Sequence, residues 1–254
     1  MSSSERFGYE WDKYNKVDPI YAEQFKNWVY PLNKEFFKDQ KVLDAGCGMG
    51  RNSLWPLQWG ASELLAFDFD KRSVKAAQEN LKNFHNAKVV YQSIYDVDFS
   101  DYFDIVFSIG VIHHLKDPKQ ALKNLVKSLK PDGTLLVWVY SYEGNEWLVR
   151  IIDPIRKNIT SKLPLNLVHF LSYFCSIPLY IFVKIFKGPS GYLKQISNFN
   201  FWHIHSIVFD QLIPEVANYW KKSEVNDLFS ELDLKDLDVH QPPNKSGWVI
   251  IGRK

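Results

Sequence analysis

Between Lys41 and Tyr140, short apolar runs alternate with amphipathic stretches. Lys41–Ala45, Leu64–Asp68, Lys88–Gln92, Ile105–Ile109 and Thr134–Tyr140 are apolar and closed by turn residues, which predicts buried strands. The stretches between them, Asn52–Trp59, Arg72–Phe84 and Lys119–Leu129, predict helices. The last has Asp117-Pro118 as its start signal and Pro131-Asp132-Gly133 as a stop and turn. Alternating strands and helices need crossover connections and therefore a parallel sheet. Near the carboxyl end, Ser223–Leu232 predicts a helix with Ser223 as its cap. Leu234–His240 and Gly247–Gly252 follow as two strands around Gln241-Pro242-Pro243-Asn244, an antiparallel pair that closes one sheet edge.

The expected architecture is α/β: a doubly wound, mostly parallel seven-stranded sheet with an antiparallel C-terminal strand. A largely helical cap is inserted after the fifth strand. Residues 1–40 form an aromatic N-terminal lid with helices, 41–140 and 217–254 the core, and 141–216 the cap that shapes the substrate site. The chain of 254 residues is 46% hydrophobic and 24% charged, a globular composition. Its 31 basic and 29 acidic residues leave a net charge of +2, so no global field signals a nucleic-acid partner. Cys47 and Cys175 lie at neither metal-ligand nor redox spacing. Met1 to Glu10 is polar, without the apolar run of a signal peptide, so a cytoplasmic location is expected.

One segment stands apart from this picture. Leu163 to Val183 contains no Asp, Glu, Lys or Arg and is long enough to cross a bilayer. Asn166, His169, Ser172, Ser176 and Pro178 argue against a span, and the pattern predicts two short cap helices. The competing expectation is a lipid or membrane-surface patch over 163–186, with Lys184, Lys187 and Lys194 beside it.

The densest chemical signal is Asp44-Ala45-Gly46-Cys47-Gly48-Met49-Gly50-Arg51, where a buried strand gives way to glycines and then to a helix. Glycines there permit a sharp turn and close approach of a ligand. Asp68 ends the second strand about 20 residues on, the spacing that puts a carboxylate on a ribose hydroxyl pair. A dinucleotide would set its pyrophosphate against this turn, where Asp44 repels it. S-adenosylmethionine has no phosphate and carries an ammonium and a sulfonium, which a carboxylate favours. Arg51, opening the first core helix, is a candidate partner for the methionine carboxylate or for substrate.

These motifs resemble the class I (Rossmann-like) S-adenosylmethionine-dependent methyltransferases. Asp44 to Arg51 matches their glycine motif, and Ala66-Phe67-Asp68-Phe69-Asp70 their second motif, with Asp68 at the ribose position. Phe103 to Leu115 resembles the fourth-strand motif, and Leu129 to Thr134 the turn before strand five. Phe7-Gly8-Tyr9-Glu10-Trp11 and the stretch from Phe209-Asp210 to Tyr219-Trp220 resemble segments of a subgroup of uncharacterised bacterial members, which suggests small-molecule or glycan acceptors. The resemblance implies Asp44, Ala45, Gly46, Cys47, Gly48, Gly50, Arg51, Asp68, Phe69, Ser93, Ile94 and Ile109 as cofactor contacts. Ser93 departs from the family, which usually has an aspartate there for the adenine amino group. A serine oxygen still accepts a hydrogen bond, and Asp96 is a possible substitute.

Methyl transfer from a sulfonium requires alignment, exclusion of water and, for some acceptors, removal of a proton. His113 and His114 follow the fourth strand at its carboxyl end and are candidate bases. His203 and His205 alternate, which on an extended segment puts both on one side. No third ligand accompanies them, so the expectation is acceptor contact or packing and no metal. The functional expectation is methyl transfer to a hydroxyl or amine of a small molecule, sugar or glycan. The alternatives are a lipid or membrane-linked acceptor, and a non-catalytic cofactor-binding partner subunit.

Overall fold

The computed structural model describes residues 3–187 and 191–254. Three helices come first: α1 (Ser3–Lys13), α2 (Tyr21–Val29) and α3 (Lys34–Phe37). The core then runs β1 (Lys41–Ala45), α4 (Leu54–Gln58), β2 (Glu63–Asp68), α5 (Lys71–Leu81), β3 (Ala87–Tyr91), β4 (Phe103–Ile109), α6 (Pro118–Ser128) and β5 (Leu129–Val139). A helical insertion follows: α7 (Asp153–Asn158), α8 (Leu165–Phe186), α9 (Gly191–Ile196) and α10 (Phe201–Leu212). The chain returns through α11 (Lys222–Ser230) to β6 (Lys235–His240) and β7 (Trp248–Arg253).

The strands form a single seven-stranded sheet in the order β3-β2-β1-β4-β5-β7-β6. β1 to β5 pair in parallel and β7 runs antiparallel to both β5 and β6. This is the mostly parallel, doubly wound sheet that the sequence predicts. Alternate strand residues feed two cores. Val42, Leu64, Ala66, Ile105 and Phe107 pack with Phe25, Trp28, Trp55 and Ala77 on one face. Leu43, Leu65, Phe67, Val106 and Val137 pack with Leu122, Leu125 and Phe229 on the other. Strands buried on both faces read as continuous apolar runs, which is why they were legible. The order reverses between β1 and β4, and ligands bind at the carboxyl ends of strands at such a switch point.

Four local expectations are corrected. Pro131-Asp132-Gly133 does not stand before the fifth strand: β5 begins at Leu129 and takes the turn as a bulge, its pairing jumping from Phe103–Leu129 to Ile105–Thr134. Helix α11 starts two residues earlier than a Ser223 cap allows, because the Glu224 carboxylate accepts from the Lys221 N–H at 2.7 Å. The predicted pair of cap helices is the single helix α8, with Pro178 inside it. A proline removes one backbone bond; here the buried stripe Val168, Ser172, Ser176 and Val183 continues through that point, so packing holds both halves in line.

The fourth correction concerns His203 and His205, which lie on a helix rather than an extended segment. Asn200 accepts from the His203 N–H at 2.9 Å and starts α10. Two residues apart on a helix, the side chains diverge by roughly 200°. His203 packs between Phe199 and Tyr21, while His205 faces α8 and stacks on Tyr173.

Helix α1 is fastened to the insertion by buried polar groups. The Arg6 guanidinium donates to the carbonyls of Ile213 and Thr160 at 2.6 and 2.9 Å. Glu10 accepts from the Ser206 hydroxyl at 2.6 Å. The aromatic amino terminus is therefore an ordered helix laid between core and cap.

Candidate active site

At the switch point the chain turns from β1 toward α4 through a loop stitched to the end of β2. The N–H groups of Gly46 and Cys47 both donate to the Phe67 carbonyl at 2.9 Å. Gly46 sits at φ +84°, and a Cβ there would stand 2.5 Å from a Val111 methyl. Gly48 is at φ +53°, and a Cβ would meet the Trp11 indole at 2.9 Å. Trp11 of α1 thus closes on the loop because Gly48 leaves room. Gly46→Ala should lower stability by about 1–2 kcal/mol through the left-handed backbone alone, and by more through the clash. Gly110→Ala, at φ +80° with nothing within 4 Å, carries the backbone cost only. Urea unfolding of the two variants checks this; equal losses would show that Val111 yields freely.

Asp68 closes the loop from the other side. Its carboxylate accepts from the Gly48 N–H at 2.9 Å and from the Asp70 N–H at 3.0 Å. Burial raises its carboxyl to about 6, against the pull of these N–H donors. A carboxylate offers about four lone-pair sites, more than these donors use, so acceptor capacity remains for a hydroxyl of a vicinal diol.

Loop, strand ends and insertion enclose one cavity of about 1160 Å³. That is at or above the upper end for drug-sized ligands, so it has room for a cofactor and an acceptor together. Of the expected cofactor contacts, Gly46, Cys47, Gly48, Arg51, Asp68, Phe69, Ser93, Ile94 and Ile109 line it. Asp44, Ala45 and Gly50 are not brought to its wall. The Asp44 carboxylate lies beneath the loop and accepts from the Ser53 hydroxyl at 2.6 Å, with burial raising it to about 7. The Ala45 carbonyl is taken by Ser108, and Gly50 lets α5 approach, Ala77 lying 3.1 Å from a Cβ placed there. Asp96 is exposed and away from the wall, so it does not replace the family aspartate; Ser93 instead caps the following turn by accepting from Tyr95 N–H at 3.2 Å.

The histidines separate. His114 lines the cavity, with Nδ1 2.7 Å from the Val216 carbonyl, and burial lowers its pKa to about 4. His113, His203 and His205 are not brought to the wall. His113 is wholly buried against Tyr140, ring centroids 3.9 Å apart. His205 Nδ1 pairs with the Ser176 hydroxyl at 2.6 Å. Burial pushes the pKa of His203 down to about 2 and that of His205 to about 4, so both are neutral packing groups.

Around Arg51, which the sequence did single out, the wall holds a second group of residues that it did not. Arg51 is caged by Trp11, Trp28 and Tyr21, its guanidinium carbon 5.0, 5.4 and 5.5 Å from the ring centroids. Glu10 and Asp210 both feel its charge. Asp210 is raised to about 6 by burial, against the pull of Arg51 and of the neighbouring Tyr140 hydroxyl. Tyr140 accepts from Gln211 Nε2 at 3.0 Å, and Gln211 Oε1 accepts from the Tyr219 hydroxyl at 2.8 Å. The result is a polar chain, Tyr219–Gln211–Tyr140–Asp210, along one side of the cavity. Glu10 Oε2 and Gln24 Oε1 also belong to wall residues and are buried without a partner.

This wall fits S-adenosylmethionine. Asp68 offers acceptors for ribose hydroxyls, Ile94 and Phe69 an apolar surface for adenine, Arg51 a charge for the carboxylate, and Glu10 and Gln24 orphaned acceptors for the ammonium. Residues 43–137 match the family model described as a methyltransferase domain. Over these residues the core is a methyltransferase domain, which uses S-adenosylmethionine as its cofactor.

Relatives and solved structures agree on this core. The tRNA U34 carboxymethyltransferase of Helicobacter pylori strain G27 is 34% identical over 128 residues, 48% of each chain. That of Sulfurimonas denitrificans is 33% identical over 133 residues, covering 50% of this chain and 44% of the relative. The chain thus spans about half the length of these curated relatives. Among solved structures, an S-adenosylmethionine-dependent methyltransferase from Thermotoga maritima aligns over 99% of both chains with a TM-score of 0.60 at 16% identity. A second, from Aquifex aeolicus, covers 97% of both chains with a TM-score of 0.58 at 15% identity. At those identities they share the fold.

Proposed function

We propose that the chain transfers the methyl group of S-adenosylmethionine to a hydroxyl or amine of a small molecule, sugar or glycan, with Asp210 as the base. The observation that carries this reading is that one cavity joins the methyltransferase glycine loop to the Asp210 carboxylate, which feels both Arg51 and the Tyr140 hydroxyl. Bound cofactor supplies an electrophilic methyl on a sulfonium. As the acceptor lone pair took up that methyl group, with the cofactor leaving as its thioether product, Asp210 would receive the acceptor proton. Tyr140 fixes the carboxylate, and Gln211 with Tyr219 fixes Tyr140. Phe7, Trp11 and Trp138 make the wall apolar and exclude water. As the base, Asp210 at about 6 outranks His114 at about 4, because the better base titrates nearer the operating pH.

The relatives' names favour a second reading, a tRNA acceptor. Two measurements sort the cases. Titration calorimetry should show binding of S-adenosylmethionine and its demethylated product and none of NAD; heat from NAD alone would sink the cofactor assignment. Incubation with radiolabelled cofactor and bulk tRNA should leave the RNA unlabelled. Label in RNA would replace the small-acceptor reading with the second one.

A further inference from the structure

Helix α8 is amphipathic in the opposite sense from a helix on a soluble surface. Its inward stripe carries His169, Ser172 and Ser176, all buried. His169 Nε2 lies 2.8 Å from the Tyr14 hydroxyl, and Ser176 bonds His205. Its outward stripe is Phe170, Phe174, Ile177, Ile181 and Ile185, spaced at four, three, four and four residues, and exposed. Phe174 is 69% and Ile185 66% exposed, and the 22 residues extend for about 33 Å. A contiguous apolar face of this length marks an interaction surface.

Charge selects the occupant. Between Asp153 and Asp210 the sequence contains no acidic residue, while it holds Arg156, Lys157, Lys162, Lys184, Lys187 and Lys194. Apart from the buried Arg156, these are exposed. An apolar stripe on a segment that carries lysines and no carboxylate of its own matches an anionic lipid leaflet, where alkyl chains take the phenyl and aliphatic groups and headgroups take the ammoniums. A second copy of this chain would bring lysines against lysines. The inward hydrogen bonds hold α8 along the protein body, so it lies on the bilayer rather than through it.

We infer that α8 seats the protein on an anionic membrane surface, and that the acceptor is an amphiphile whose polar head is methylated while its lipid tail stays in the leaflet. This rests on the proposed methyl transfer for its chemistry. The structural link is that Cys175 and Leu179, on the same helix, line the active-site cavity. One helix therefore separates the leaflet from the cofactor cavity.

The test is flotation of the full chain with vesicles of phosphatidylcholine alone or with phosphatidylglycerol. The expected result is at least tenfold more protein on the anionic vesicles, falling as salt rises. The triple variant Phe174→Glu, Ile181→Glu, Ile185→Glu should abolish flotation while binding S-adenosylmethionine with unchanged affinity. Cofactor affinity is read separately, so failure to float leaves the methyltransferase reading standing. Absence of flotation on either vesicle overturns the inference. So does a wild-type dimer that the triple variant disperses, or retention of bulk tRNA on filters through these three positions.

Discussion

Replacing Asp210 with Asn should lower methyl transfer by roughly 10²–10⁴-fold, the usual scale for loss of a general base. The carboxamide keeps the shape and can still accept from Tyr140, so the wall should not move. Cofactor affinity should change little, because the cofactor loop draws on Gly46, Gly48 and Asp68. Stability should hold or rise. Burial raises the Asp210 carboxyl to about 6 in the folded chain, so the ionised form costs stability above that pH, and Asn removes the cost. The pH profile gives the sharper readout. A base must be ionised; wild-type turnover should therefore decline as pH falls through about 6, and that limb should vanish in the variant. Full turnover in Asp210→Asn, or an acid limb unchanged by it, would remove Asp210 from the chemistry.

The cofactor half of this site was legible because its parts are local. Gly46 and Gly48 are read within one strand-to-helix turn, and Asp68 ends the next strand beside it. Asp44 shows the limit of that reading. Proximity in sequence put its charge against the cofactor. On β1, however, it alternates with Leu43 and Ala45 and shares the face of Val42, where Ser53 meets it below the loop. The acceptor wall was not legible because it is assembled across the whole chain. Glu10 and Ser206 are 196 positions apart and Gln211 and Tyr140 are 71 apart. A sequence signal for Asp210 did exist: it is the first carboxylate after a long acid-free stretch, within the segment resembling the bacterial subgroup. The histidine pair drew attention instead, since alternation implies one face only on a strand. The Asn200 cap decided otherwise.

Asp68→Ala should weaken S-adenosylmethionine by about 1.5–3 kcal/mol, the worth of hydrogen bonds to a charged group, or roughly 10–150-fold in Kd. Two losses combine. The ribose hydroxyls lose their acceptor, and the Gly48 N–H loses the bond that holds the loop against β2. Asp68→Asn separates them: its carboxamide oxygen can still receive Gly48 while the charge is gone, so its affinity should fall between the other two. Wild-type affinity should also weaken as pH drops below about 6, where the carboxyl takes up its proton, and Asp68→Ala should be insensitive over that range. Stability runs the other way. A buried carboxyl raised from its unfolded value disfavours the folded state once ionised, so above about 6 the alanine variant is relieved of that cost, offsetting part of what the loop loses. Calorimetry and thermal unfolding at pH 7 therefore give opposite signatures for the two roles. Weak binding with a nearly unchanged Tm assigns Asp68 to the cofactor; unchanged binding with a collapsed Tm would make it a structural brace for the glycine loop.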